Sequence, residues 1–389
     1  MSRFLIVVPP LVGHINPLVG VAAELTARGH RVAWAGQSEI IARLAGPSAE
    51  VFDCAVPRDA SGAPVGRPPG LRGPAALQFL WEQFLIPLGE AMVPGVRTAA
   101  EQFRPDVLIV DQQTVAGALV AEQLGIAWVT SATTSAEFVA ARDGMPLVEA
   151  WVRDLLRALH DRMGVPPGGA DLRFSPHLII AFTTPELSAC AVSPGGPLRF
   201  VGPSIAARPG YGQFPVEWLD ATRRLVLVSL GTVNTDAGSA FLTAAHAALT
   251  DRADRLQGVI VDPGNLLAGA PVTDDVLVLA AVPQVQLLPH CSAVVCHAGH
   301  NTVCETLWHG VPLVVAPIVD DQPTVAGQVV TAGAGMRVRF GRITAQRLGE
   351  AIDAVLDDPM YRKCAEYLGD SFRAAGGAAT AADHMEVLA

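Results

Sequence analysis

Cys296-His-Ala-Gly-His-Asn-Thr-Val-Cys-Glu305, running on to Gly310-Val-Pro312 and then to Asp320-Asp-Gln322, is the stretch that decides the fold. The apolar residues Ala293, Val294 and Val295 just before it are few enough for a buried strand. His297, Gly299, Asn301 and Thr302 crowd the turn where a helix is expected to start, and Glu305 sits one turn inside it. A strand, a small-residue turn and a helix start bring backbone N–H groups and a positive dipole end to one point, which suits a diphosphate. The acid within the helix and the Asp-Gln pair beyond the next strand add groups that can bind hydroxyls. The stretch reads as a nucleotide-sugar pocket.

The same pattern recurs on either side. Leu225-Val-Leu-Val-Ser229 is a strand entering a small-residue turn, and Phe4-Leu-Ile-Val-Val8 does the same near the N-terminus. Arg31 to Ala35, Val107 to Val110 and Ile126 to Val129 continue the first series; Val259-Ile260, Val276 to Leu279 and Leu313 to Ala316 continue the second. Helical patterns lie between them, including one from Pro17 to Arg28 that Pro17 would open and Gly29 would stop. Apolar strands alternating with helices imply parallel sheets covered on both faces. The predicted architecture is α/β, two doubly wound Rossmann-like domains facing across a cleft. Residues 1–205 form the first, 206–222 a Pro- and Gly-rich linker, and 223–389 the second, its last helical segment near the junction. Ligands in such sheets bind beyond the carboxyl ends of the strands. Helical patterns over residues 76–93 and 138–162 carry apolar and aromatic faces that fit either core packing or a ligand-facing wall.

Composition narrows the function. Half of the 389 residues are apolar and 16% are charged, as in a globular chain able to bury large cores. A net charge of −10 without a basic cluster argues against a nucleic-acid surface. No apolar run reaches the roughly 18 residues of a membrane helix. The run from Phe4 to Val8 is too short for a secretory core, so the expected location is cytoplasmic. Six cysteines without regular spacing fit reduced thiols.

With Gly13-His-Ile-Asn-Pro17, Asp106 to Asp111, Ser229-Leu-Gly-Thr232, Val282-Pro-Gln284 and the stretch 296–322 in order, the chain resembles the family 1 glycosyltransferases. These are inverting GT-B enzymes that glycosylate small lipophilic acceptors, and the likeness is greatest to bacterial members acting on natural products. It spans essentially the whole chain. The resemblance implies that His14 is the general base for an acceptor hydroxyl and that Asp111 holds the ring's second nitrogen. A neutral imidazole can take the hydroxyl proton as the oxygen attacks; a helix N-cap is the other reading of Asp111, and the two are compatible. Ser229, Thr232, His297, Asn301 and Thr302 would meet the diphosphate, with Gly299 in the same turn, and stabilise its departure without an obligatory metal or other cofactor. By resemblance Glu305 accepts from the ribose hydroxyls, Asp321 and Gln322 hold the donor sugar, and Val282 and Gln284 belong to the donor site. A solvated helix N-terminus explains Asp320 and Asp321 as simply.

Two positions depart from the family pattern. Ala281 stands where many relatives have an aromatic residue stacked on the base, and His300 occupies a variable position whose N–H could reach the sugar. Cys296, His297, His300 and Cys304 also carry zinc-ligand chemistry, but their spacing matches no standard finger, and Cys296 and His297 should point to opposite sides. The implied partners are a nucleotide sugar, with UDP-glucose favoured over a dTDP-deoxysugar, and a lipophilic hydroxylated acceptor. Assembly is open, with a homodimer among the alternatives. The rival readings are a catalytically silent auxiliary protein and a nucleotide-sugar epimerase.

Overall fold

The computed structural model describes residues 1–59, 61–68, 70–137, 146–164, 171–189, 195–205, 214–231, 238–269 and 273–389. The chain divides into two compact units: Met1–Pro209 together with Ala374–Ala389, and Gly210–Arg373.

The first unit holds a seven-stranded sheet. Its strands are β1 (Arg3–Val7), β2 (Arg31–Gly36), β3 (Glu50–Asp53), β4 (Val107–Asp111), β5 (Ala127–Ala132), β6 (Leu178–Ala181) and β7 (Leu198–Phe200). They lie in the order β3-β2-β1-β4-β5-β6-β7, every pair parallel. Side chains alternate across a strand, so Leu5, Val7, Leu108 and Val110 enter one core while Phe4, Ile6, Val107 and Ile109 enter the other. Both faces are dry, which is why these strands read as unbroken apolar runs.

The second unit carries β8 (Arg224–Ser229), β9 (Leu256–Val261), β10 (Val276–Leu279), β11 (Cys291–Cys296), β12 (Leu313–Val315) and β13 (Gly335–Arg337). Their order is β10-β9-β8-β11-β12-β13, again all parallel. Each sheet therefore reverses its strand order once at its centre, between β1 and β4 in one and between β8 and β11 in the other. Loops leaving the carboxyl ends of those two strands diverge, and a crevice opens between them.

Three boundaries differ from the sequence reading. The first helix spans Val12–Ala27, not Pro17–Arg28, so Pro17 lies inside it. The pattern over 76–93 belongs to a longer helical run, Pro74–Gln78, a π-helical Phe79–Leu85 and Ile86–Phe103. The last helix, Gly377–Glu386, packs with the first unit: Ala381, Ala382 and Met385 are fully buried in its core beside Leu18 and Val21. Arg28 bonds Asp383 and Glu386, and His30 bonds Glu386, at the same contact. The second unit accordingly ends at Arg373, ahead of the boundary at 389 expected from sequence. Residues 206–213 of the expected linker and 138–145 of an expected helix lie outside the described residues; 146–162 is helical. No described helix is long and apolar enough to cross a membrane.

Candidate active site

In the first unit the reversal point is occupied by His14 and Asp111. The loop after β1 turns at once into the helix Val12–Ala27, which places His14 in the first helical turn and not in a free loop. Asp111 is the last residue of β4 and is fully buried. His14 Nδ1 lies 3.0 Å from Asp111 Oδ1 and 2.9 Å from Oδ2. Asp111 Oδ1 also accepts from the Gln113 backbone N–H at 2.9 Å. The N-cap reading of Asp111 fails: the helix that follows begins at Val115 behind Thr114, and the carboxylate is turned to the imidazole.

Two further groups join this point, and sequence reasoning named neither. Thr133 follows β5 directly; its Oγ1 lies 2.8 Å from His14 Nδ1 and donates to Asp111 Oδ2 at 2.9 Å. The run Thr130-Ser-Ala-Thr-Thr-Ser135 closing an apolar strand was the available signal. Glu137 accepts from Gln113 Nε2 at 3.1 Å, while its Oε2 is buried with no partner among the described residues. Burial pushes the Glu137 carboxyl up to about 7, against the pull of Arg173 and the Gln113 bond. Arg173 is nearly fully buried and forks onto Asp171 and Glu149.

The Glu137 shift has a sign in stability. An acid whose folded pKa is raised holds its proton when folded and loses it when unfolded, so stability falls as pH rises from about 4.5 to about 7. Glu137→Gln removes that loss. We expect it to raise the melting temperature by about 5 °C at pH 8, on the order of 2 kcal/mol, and by little at pH 5. Thermal melts at both pH values check this, and equal gains at both would contradict it.

In the second unit the predicted donor-site residues gather on the carboxyl edge of one sheet. Ser229 ends β8 and pairs in register with Cys296 at the end of β11. His297 follows, and Gly299 caps the helix His300–Trp308, whose first N–H groups have no intrahelical carbonyl to bond. The His297 ring lies close against two glycines. A Cβ on Gly231 would lie 2.7 Å from its Cε1, and one on Gly299 2.4 Å from its Nε2. Burial pushes the imidazole down to about 4, so the ring is neutral at pH 7 despite a bond with the Ser229 backbone. Its buried Nδ1 has no partner among the described residues. The ring packs the turn beside the helix N-terminus, whose backbone N–H groups are the donors suited to an anionic ligand.

Glu305, nearly fully buried inside the helix, accepts from Gln284 Nε2 at 2.7 Å, which joins two predicted residues from separate loops. Gln284 opens a short helix after β10, behind the buried Val282 and the exposed Ala281. Gln322 is only partly available: its Oε1 accepts from the Ile318 and Val319 backbone N–H groups at 2.8 and 3.0 Å, leaving its amide N–H groups for a ligand. Asp321 is the half-buried residue before that helix. His300 is buried, its Nε2 3.5 Å from Cys304 Sγ, so the side chain packs locally and its backbone is the part at the helix start. Asn301 and Thr302 are half-buried in the same turn. Thr232 lies outside the described residues.

Known proteins carry the same order of elements. The family described as "UDP-glucoronosyl and UDP-glucosyl transferase" matches residues 216–371, all within the second unit. Over its whole length the chain is similar to 4'-demethylrebeccamycin synthase of Lentzea aerocolonigenes, with 29% identity covering 100% of this chain and 99% of that protein. It is similar also to demethyllactenocin mycarosyltransferase of Streptomyces fradiae, 29% identical over 100% of this chain and 87% of the relative. Among solved structures, the glycosyltransferase of kitacinnamycin superposes with a TM-score of 0.78 at 25% identity, covering 100% of this chain and 98% of that one.

Proposed function

We propose that this chain is a family 1 glycosyltransferase, an inverting enzyme of GT-B fold acting on natural products, and that it transfers a hexose from a nucleotide sugar, UDP-glucose favoured, to a hydroxyl of a lipophilic small molecule. His14 takes the acceptor proton on Nε2 as the oxygen attacks the anomeric carbon. Asp111 orients the ring and stabilises the imidazolium. The bond from the anomeric carbon to the diphosphate breaks on the opposite side, and the sugar inverts from α to β. Ser229, Thr232, His297 and the helix start at Gly299 to Thr302, His300 through its backbone, take up the charge of the leaving nucleoside diphosphate without a metal. Glu305, held by Gln284, accepts from the ribose hydroxyls; Asp321 and the Gln322 amide hold sugar hydroxyls; Val282 lies toward the base. The observation that carries the reading is His14 Nδ1 seated on both oxygens of the buried Asp111. A catalytically silent auxiliary protein has no use for a base prepared in this way.

The donor preference rests on Glu305. A ribose offers it two vicinal hydroxyls where a deoxyribose offers one. A dTDP-deoxysugar is the second reading, because Ala281 gives the base no aromatic face to stack on and so does not select uracil over thymine. Isothermal titration of EDTA-treated protein with UDP and dTDP separates the two. We expect UDP to bind the more tightly, and Glu305→Ala to weaken UDP about tenfold while narrowing its margin over dTDP. An unchanged dissociation constant in the variant would remove the ribose role. A preference for dTDP would move the donor to the deoxysugar class, and no binding of either would sink the transferase reading.

A further inference from the structure

We infer that Thr133 is a positioning residue for the base, holding the imidazole of His14 in the tautomer that leaves its Nε2 lone pair ready for the acceptor proton. The inference deepens the proposed function and rests on His14 being the base.

Proton counting carries the argument. A threonine hydroxyl has one proton to give, and an ionised carboxylate can only accept. Thr133 Oγ1 lies 2.9 Å from Asp111 Oδ2, so its proton goes there. Toward His14 Nδ1, at 2.8 Å, the same oxygen can then only accept. The proton on that line belongs to the imidazole, shared between Thr133 Oγ1 and the Asp111 oxygens at 2.9 and 3.0 Å. The reverse arrangement, Thr133 donating to a bare Nδ1, would aim a ring lone pair at the carboxylate and place the ring's proton on Nε2, where the base needs none. Thr133 and Asp111 are both buried, so water does not compete for either group.

The hydroxyl also fixes the carboxylate. Oδ2 is held by Thr133 and Oδ1 by the Gln113 N–H, so rotation of the carboxylate breaks one bond or the other. The support arrives through backbone: β4 and β5 are paired with Asp111 opposite Ser131, and Thr133 leaves the end of β5 beside it. In the reaction the acceptor O–H proton moves to Nε2, the Nδ1 proton stays in place, and the imidazolium formed has two oxygen acceptors already aligned. Ring and carboxylate need no rearrangement as charge develops.

The test pairs Thr133→Val, which keeps the shape and deletes the hydroxyl, with Thr133→Ser, which keeps the hydroxyl. We expect the valine variant to lose about tenfold in kcat with donor KM unchanged, and the serine variant to stay within about twofold of wild type. Nitrogen-15 NMR of histidine-labelled protein, with the His14 signals assigned by their loss in His14→Gln, reads the tautomer directly. Wild type should show a protonated Nδ1 and an unprotonated Nε2 at neutral pH, and the valine variant a mixture. A valine variant within twofold of wild type, a serine variant as slow as valine, or an unprotonated Nδ1 in wild type would overturn the inference. The wild-type spectrum decides even where the valine variant does not fold. A His14→Ala variant that still turns over would remove the base reading itself; an inactive His14→Ala beside an unimpaired Thr133→Val would remove only the role of Thr133.

Discussion

His14→Ala should lower the rate of glycosyl transfer by about 10²- to 10⁴-fold and leave the UDP dissociation constant within about twofold of wild type. The magnitude is that of a positioned general base. An acceptor hydroxyl is a weak nucleophile while it keeps its proton, and in the proposed reaction the imidazole at this reversal point removes it. Its orientation is set by a carboxylate that is fully buried and bonded to the Gln113 N–H, so the loss cannot be repaired by a side chain swinging in from solvent. The affinity half of the expectation follows from the division of the chain. His14 and Asp111 belong to the first unit, whereas Ser229, His297, Gln284 and Glu305 belong to the second. Removing an imidazole from one unit leaves the nucleotide contacts of the other as they were. Initial rates with UDP-glucose and a phenolic acceptor, beside calorimetric titration of UDP, check both halves. Wild-type rates would refute the base; a rate loss matched by an equal loss of UDP affinity would mean that His14 serves binding. Asp111→Asn sharpens the reading, because an amide whose N–H₂ faces Nδ1 favours the tautomer with its proton on Nε2 and should be nearly as slow.

The parts of this site that were legible in the sequence are those the backbone builds. β1, β4, β8 and β11 are buried on both faces, so they appear as apolar runs; β4 and β8 end in Asp111 and Ser229, His297 follows β11, and His14 stands in the first turn of the helix after β1. β3, β7 and β13 went unread because a charged residue, Glu50 and Asp53, Arg199 or Arg337, interrupts a run of only three or four residues, whereas the equally short β10 and β12 are wholly apolar; β6, apolar too, was passed over. The first helix was started five residues late. A proline is tolerated most easily in a first turn, and Val12-Gly-His-Ile-Asn16 has the composition of a loop, yet burial of Ile15 and Leu18 extends the helix back across it. The last helix was given to the wrong unit for a related reason. Its small apolar residues say that it is buried but not against what, and the partner that decides this, the helix Val12–Ala27, is more than 300 residues away. Thr133 and Glu137 were missed because their partners come from other strands and loops. The upward shift at Glu137 comes from burial, against the pull of Gln113 and Arg173, and no local pattern announces that burial.

Gly299→Ala should cost more in nucleotide affinity than a single methyl group suggests, on the order of tenfold or more for UDP. Gly299 has φ −63° and ψ 134°, a backbone conformation open to any residue, so alanine meets no strain there. The cost comes from His297. The new Cβ would lie 2.4 Å from Nε2 and 2.8 Å from Cε1, distances that non-bonded atoms do not tolerate, and Gly231 also lies close against Cε1 and Nε2. The imidazole must leave the slot beside the two glycines and, in the proposed reading, takes with it the N–H it would turn from the Ser229 backbone to the diphosphate; a hydrogen bond to a charged group is worth about 1.5–3 kcal/mol. At Gly231 the same substitution would add backbone strain, because φ there is +75°, which makes Gly299 the cleaner probe. A double-mutant cycle isolates the mechanism. If the methyl group acts by expelling the ring, Gly299→Ala should weaken UDP strongly in wild type and scarcely at all in His297→Ala, where no ring is left to expel. Alanine is a poorer N-cap than glycine, but that penalty is the same in both backgrounds and cancels from the comparison. Equal losses of UDP affinity in the two backgrounds would show that the methyl group does not act through the ring, and UDP affinity unchanged in His297→Ala alone would mean that His297 has no part in holding the donor.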